Sequence, residues 1–335
     1  VEKRTKNQTK RAAVFFTSLA VLIPVSLILY IYSRTYAKSS RLGIAMDNTA
    51  FYNILSRAIP ALVGMTVAAI MIAVVSLSFQ TISGSRILTP SMIGFDSVFV
   101  GTQTMLVFFF GSVSVMFANP YLNYMITAGA MIVISMFMYG SLLRKNRNNI
   151  VFLLMFGMIL SGVVRSGSTY LQVIMDTNEF NQLRAATSVT INNMNTNIII
   201  IAIPLMLLVC GAIIYRHRKF NVMSLGRDNA KSLGINYDRE VTLNLILISV
   251  GMSIATALIG SLAFLGLLAV NIARELLGTY KHLPLFFGSA LLAAFVLISG
   301  QAGTELLQGA VPVTAIIDLV GCSYMFFLIL KENHI

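Results

Sequence analysis

Apolar runs of about 20 residues recur along almost the whole of this chain, and they decide what it can fold into. A helix of that length crosses roughly 30 Å of hydrocarbon. Lipid offers no partner to backbone N–H and C=O groups, so only helices or a closed barrel can span it, and the strict alternation of barrel strands is missing here. The fold class that follows is an all-α polytopic membrane protein. Composition agrees: 57% of the 335 residues are hydrophobic, 11% are charged and the mean hydropathy is +0.82. A soluble core cannot bury that much apolar side chain.

About ten spans are expected. They cover Ala12 to Tyr32, Ile59 to Gln80, a third beginning near Phe95, Tyr121 to Leu143, a fifth from Ile150 past Ser168, Ile198 to Tyr215, Val241 to Gly260, a short Leu262 to Asn271, Leu283 to Ser299 and Pro312 to Leu330. Pro24 is expected to kink the first. That run is longer than the apolar core of a signal peptide and no small-x-small site follows, so it reads as a retained span. Arg34 to Ser56 reads as a polar connection, and Asn119-Pro120 as an uncharged turn. The whole forms a single transmembrane domain over 1–335, with tails at 1–11 and 331–335.

The charges then test an orientation. With both ends cytoplasmic, the inner segments hold Lys3, Arg4, Lys6, Lys10 and Arg11; Arg86; the basic residues at 144, 145 and 147; six from Arg216 to Arg239; and Arg274, Lys281 and Lys331. Arg34, Lys38, Arg41, Arg57, Arg165 and Arg184 fall outside or at the outer mouth. The threefold excess has the sense of the positive-inside rule. The net charge of +12 is therefore topology, and no nucleic-acid partner is expected.

Chemistry is sparse. The chain has no Walker A pattern, serine nucleophile elbow or metal-ligand spacing, so neither ATP hydrolysis nor covalent catalysis is expected of it, and no metal site. Cys210 and Cys322 lie in apolar runs, and His217, His282 and His334 read as membrane-edge or tail residues. Two carboxylates lie near or in spans. Asp96 reads as a residue near a membrane edge that caps a helix or faces water, while Asp318 inside the last span calls for a protein or water partner. The run from Thr190 to Asn197 carries Asn192, Asn193, Asn195 and Asn197, too polar to span. It reads as a surface helix or as a short helix lining a watery vestibule, the second being slightly favoured.

One polar insertion stands apart. From Phe220 to Ile235 the chain reads FNVMSLGRDNAKSLGI, with Ser224 placed to cap a helix, Leu225, Ala230 and Leu233 forming one apolar edge, and Gly234 suited to end it. Its core, Ser224-Leu225-Gly226-Arg227-Asp228-Asn-Ala230-Lys231-Ser-Leu233-Gly234, resembles the coupling loop of FecCD-type permeases, the membrane subunits of ABC importers for iron-siderophores, haem and cobalamin. Two further stretches are similar. Gln80 followed by Leu88-Thr-Pro90-x-x-Ile93-Gly94 resembles the family's loop after its second span, with Gly84-Ser85-Arg86 replacing an Arg-Asn-Pro run. Gly260, Phe264, Gly266, Leu267 and Arg274 match a Gly-x-x-x-Phe-x-Gly-Leu-x-x-Pro-His-x-x-Arg signature, with Val270 and Asn271 in place of Pro-His.

The resemblance implies a type II importer permease architecture with inverted repeats, and Gly64-Met-Thr-Val-Ala68 is echoed by Gly251-Met-Ser-Ile-Ala255. It implies a cytoplasmic coupling loop over 216–240 that docks on ABC ATPase subunits, where ATP and Mg are used, with no cofactor in this chain. It also implies a second permease, identical or different, a substrate-binding protein outside the membrane, and an iron-siderophore as cargo in a bacterial cell membrane. An ion-coupled secondary transporter remains the rival, with Asp318 as its coupling site, and haem or cobalamin as rival cargoes.

Overall fold

The computed structural model describes residues 2–42, 48–145, 150–189, 196–307 and 310–332, and all regular structure among them is helical. In chain order the helices are α1 (Glu2–Leu42), α2 (Asn48–Ser83), α3 (Phe95–Phe110), α4 (Val115–Ala118), α5 (Pro120–Lys145), α6 (Ile150–Ile174), α7 (Thr177–Thr187), α8 (Thr196–Tyr215), α9 (His217–Met223), α10 (Arg227–Ser232), α11 (Tyr237–Ile259), α12 (Leu265–Leu277), α13 (His282–Leu306) and α14 (Val313–Glu332).

Each of the ten expected spans corresponds to a helix. Six stretches, 10–35, 58–83, 120–137, 197–215, 237–259 and 282–306, are long and apolar enough to cross a membrane. α12 is short, at 13 residues or about 20 Å, as expected of the eighth. One expectation fails at the first connection. α1 continues through Pro24 as one helix, and most of Arg34 to Ser56 belongs to the ends of α1 and α2, because a helix satisfies its own backbone in water as well as in lipid.

α2 is the central strut, packed on α8, α11, α12 and α13. Its stretch Ala68, Ala69, Met71, Ala73, Val74, Val75, Leu77 and Phe79 is fully buried. Small residues bring the backbones together, as is usual in membranes. A Cβ on Gly251 of α11 would strike the Met71 side chain and lie 3.1 Å from Val75 and 3.3 Å from Val209 of α8. On Gly64 of α2 it would lie 3.1 Å from Ile199, also on α8. Both echoing glycines thus border α8, but Gly251 is pressed chiefly against α2 and Gly64 against Ile199 alone.

The segment between α2 and α3 does not run along a membrane edge. Its 3-10 turn, Pro90–Ile93, wedges against the middle of α6, where a Cβ on Gly157 would strike the Ile93 side chain and come within 2.8 Å of the Ile93 carbonyl. Ser97 Oγ meets Ser161 Oγ at 2.6 Å. Gly157 and Ser161 lie roughly 10 to 17 Å along α6 from Ile150 at 1.5 Å per residue. Gly94, at φ +117°, turns the chain into α3 at that depth.

Candidate functional site

The polar segment 216–240 folds into α9 and α10 at one end of the bundle, and its sequence explains its shape. α9 follows α8 with a single residue, Arg216, between them, and ends at Ser224, whose Oγ donates back to the Asn221 carbonyl at 2.8 Å. Ser224 therefore closes α9. It does not cap α10 as expected: Gly226 at φ +96° takes the N-cap position, because the turn there demands a left-handed backbone. α10 ends as expected at Gly234, φ +84°. Ile235 N donates to Ala230 O at 3.1 Å and Gly234 N to Lys231 O at 3.0 Å, the paired bonds of a Schellman motif.

The expected apolar edge divides. Ala230 is fully buried, whereas Leu225 and Leu233 are 56% and 63% exposed. Arg227 Nη2 donates to Asp238 at 3.1 Å and Lys231 Nζ pairs with the same carboxylate at 3.1 Å, so both cations are held within the chain. Asp228 has no ion-pair partner among the described residues and is exposed. Asp228 of α10 and the two leucines that flank the helix are therefore left uncovered by the described residues.

Sequence reading missed the anchors. Phe220 is fully buried, stacked on the His282 ring at 5.8 Å between centroids and edge-on to Phe286 at 5.9 Å. Arg216 and Lys219 both pair with Glu240, the latter at 2.6 Å, and the Glu240 side chain is only 10% exposed. His282, expected at a membrane edge, is the first residue of α13, and it is only 3% exposed because α9 folds back over it. The spacing of Arg216, Lys219 and Glu240 across a loop was the one available hint.

Other basic groups share this end. The Arg11 guanidinium lies 3.7 Å from where a Cβ on Gly278 would stand, Asn271 Nδ2 donates to Arg86 O at 2.9 Å, and Tyr324 Oη lies 3.2 Å from Glu275. Asn271, standing in for the signature's histidine, thus ties α12 to the re-entrant turn. The opposite end of α13 carries Glu305, which accepts from Arg34 of α1 at 3.1 Å.

Within the bundle, Asp96 and Asp318 lie in electrostatic reach of each other. Asp96 lies beside the hydroxyls of Ser91 and Ser261, and Asp318 borders the Phe264 backbone. Oδ1 of each is buried without a hydrogen-bond partner among the described residues. Asp96 therefore neither caps α3, whose N-cap is Gly94, nor faces open water. Of the asparagine cluster, Asn192, Asn193 and Asn195 lie outside the described residues, and Asn197 is exposed in the first turn of α8.

α6 adds a feature the sequence reading counted only as an outer charge. At 3.6 residues per turn, exposed Met158, Gly162, Arg165, Ser166 and Thr169 share one side, and exposed Phe152, Phe156, Ile159, Val163 and Tyr170 another. The bulky side suits lipid. A charged side does not, so protein or water covers it.

The comparisons with known proteins agree with one another. The family model of the FecCD transport family matches residues 13–331. The petrobactin import system permease protein YclO of Bacillus subtilis (strain 168) is 39% identical over 264 residues, 78% of this chain and 84% of that one. The petrobactin import system permease protein FatC of Bacillus anthracis is 31% identical over 284 residues, 84% of this chain and 78% of the other. A solved structure described as an inward-facing metal-chelate type ABC transporter aligns with a TM-score of 0.76 at 20% identity, covering 96% of this chain and 99% of that one.

Proposed function

The chain belongs to the FecCD transport family, and from that premise we propose that it is the membrane-spanning permease of an ATP-driven importer carrying a ferric siderophore inward by alternating access. The segment 216–240 receives the drive. Separate ATPase subunits, which use ATP and Mg, dock on α9 and α10, and closure of their nucleotide sites displaces the two helices. The observation that carries this reading is the division of α10: one face is locked to the bundle through Ala230 and Asp238, and the other offers Leu225, Leu233 and Asp228 to a partner. A small rigid piece with an uncovered apolar and acidic face suits a docking contact of modest area.

This end is cytoplasmic, with both termini, in a bacterial cell membrane. A substrate-binding protein delivers the cargo at the opposite end. A second permease, identical or different, faces the polar side of α6, and the path between the two is lined by Arg165, Ser166 and Thr169, with Asn192, Asn193, Asn195, Asn197 and Asp318 as further candidates. Petrobactin is the favoured siderophore, since the names of two relatives specify it.

The test is uptake of radiolabelled iron in proteoliposomes holding this chain, its partner permease, the ATPase and the binding protein. ATP-dependent uptake of ferric petrobactin is expected. Preference for haem or cobalamin would replace the cargo. Proton-driven uptake without nucleotide would favour the secondary-transporter reading, for which the Asp96 and Asp318 pair is the relevant observation.

A further inference from the structure

Residues at the root of the polar segment form a connected bridge into the bundle. The Asn221 side chain of α9 accepts, at Oδ1, from the His282 backbone N–H at 2.8 Å, and the His282 ring Nδ1 lies 2.8 Å from the same oxygen. On the other side of the ring, Nε2 lies 2.9 Å from Thr81 Oγ1 in the last turn of α2. An amide oxygen only accepts, so Nδ1 carries a hydrogen and the ring orientation is fixed by this assignment. The Thr81 hydroxyl also lies 2.8 Å from Leu77 O, so its hydrogen is shared between that carbonyl and the ring. Phe220 packs on one face of the imidazole and closes it from water.

The placement matters more than the bonds. α10 touches the rest of the chain chiefly through α9 and α11, and α9 in turn touches α2, α8 and α13. α2 and α13 are among the most buried helices of the bundle. His282 is the first residue of α13, Thr81 is near the last of α2, and Asn221 is central in α9. One side chain therefore joins the segment to the ends of two core helices at once.

We propose that His282 is a positioning residue that transmits displacement of α9 to α2 and α13, so that the link from Asn221 through His282 to Thr81 sets how tightly ATP hydrolysis is tied to transport. This rests on the reading of 216–240 as the docking segment. The rival route is the chain's own continuity from α10 into α11, reinforced by the Asp238 pairs. A local bond network carries coupling when its members act as a unit, which non-additivity in a double-mutant cycle detects.

The experiment measures ATP hydrolysed per iron complex imported, in proteoliposomes of the complete complex, with thermal stability recorded in parallel. In His282→Asn the amide nitrogen takes the place of Nδ1 and keeps the side-chain link to Asn221 without that to Thr81; in His282→Gln the amide oxygen takes the place of Nε2 as acceptor from Thr81, and Asn221 keeps only the backbone N–H of residue 282. Each is expected to raise the ratio on the order of fivefold or more, the low end of ordinary coupling energies. Asn221→Ala combined with His282→Gln is expected to be no worse than either single change. Uptake and hydrolysis falling together at constant ratio would overturn the proposal and leave His282 a packing residue. So would normal coupling in either single-link variant. Gly234→Val is run alongside: if it too keeps the wild-type ratio, the docking reading itself has failed, whereas loss of coupling there with normal His282 variants removes only the bridge.

Discussion

Two carboxylates in the same short segment each hold two cations, and their burial predicts very different costs of removal. Glu240 faces Arg216 and Lys219; its side chain is 10% exposed and that of Arg216 is 19%. Arg216 Nε is already buried without a partner, so the guanidinium depends on Glu240. Removing the carboxylate leaves a largely desolvated cation with nothing opposite, which costs about 3 kcal/mol, the lower end for a broken buried pair because Lys219 remains half in water. Asp238 faces Arg227 and Lys231, and all three side chains are 41% to 44% exposed. Its removal costs about 0.2 to 1 kcal/mol, as for exposed pairs generally.

Glu240→Gln and Asp238→Asn keep the shapes and isolate the charges. Thermal unfolding of the purified complex, followed by the loss of monodisperse protein, is expected to fall by several degrees for the first and barely for the second. Salt separates them further. Raising ionic strength to about 1 M, where screening reaches only about 3 Å, should abolish the Asp238→Asn effect and leave most of the other. Equal losses for the two variants, or a Glu240→Gln deficit that salt removes, would refute the argument from burial.

Gly234→Val forces a β-branched residue to φ +84°, where open space surrounds the site, so the cost of about 1 to 2 kcal/mol is backbone strain and should appear as lost coupling in a transport and ATPase assay with the protein still inserted. Gly157→Ala pushes on the Ile93 carbonyl and should cost about 1 to 3 kcal/mol, read as a lower unfolding temperature together with reduced uptake. Leu225→Ser with Leu233→Ser should leave stability within about 0.5 kcal/mol, since both side chains are largely exposed, while weakening ATPase association in a pull-down. Asp318→Asn should leave stability unchanged or raise it, because it removes a like charge that acts on Asp96; a marked drop in unfolding temperature would show that the two hold a cation.

The membrane class and the positions of the ten apolar helices were legible because apolar runs of this length have one physical solution. The α9–α10 break was legible too, since Gly226 and Gly234 sit where only a left-handed backbone closes the turns. What could not be read was depth and reach. Asp96 follows Gly94 in a stretch that looks like any turn, and only the gap that Gly157 leaves for Ile93 draws that turn inward. His282 and Asn221 are 61 residues apart and neither has a telling neighbour, so their meeting depends on α9 folding back beneath α13. Ser224 was assigned to the wrong helix because a serine before a polar run looks the same whether it closes one helix or opens the next.

The wedge of Ile93 into α6 also bears on how the chain is made. A nascent chain emerging into the bilayer would carry α2 and α3 before Gly157 has been synthesised, and the 3-10 turn Pro90–Ile93 with Gly94 after it has no place in bare lipid. Docking of that loop must wait until α6 arrives as its wall. Truncation between α3 and α6 should therefore leave a product that quality-control proteases clear, whereas one ending after α6 has the pieces to close this corner of the fold.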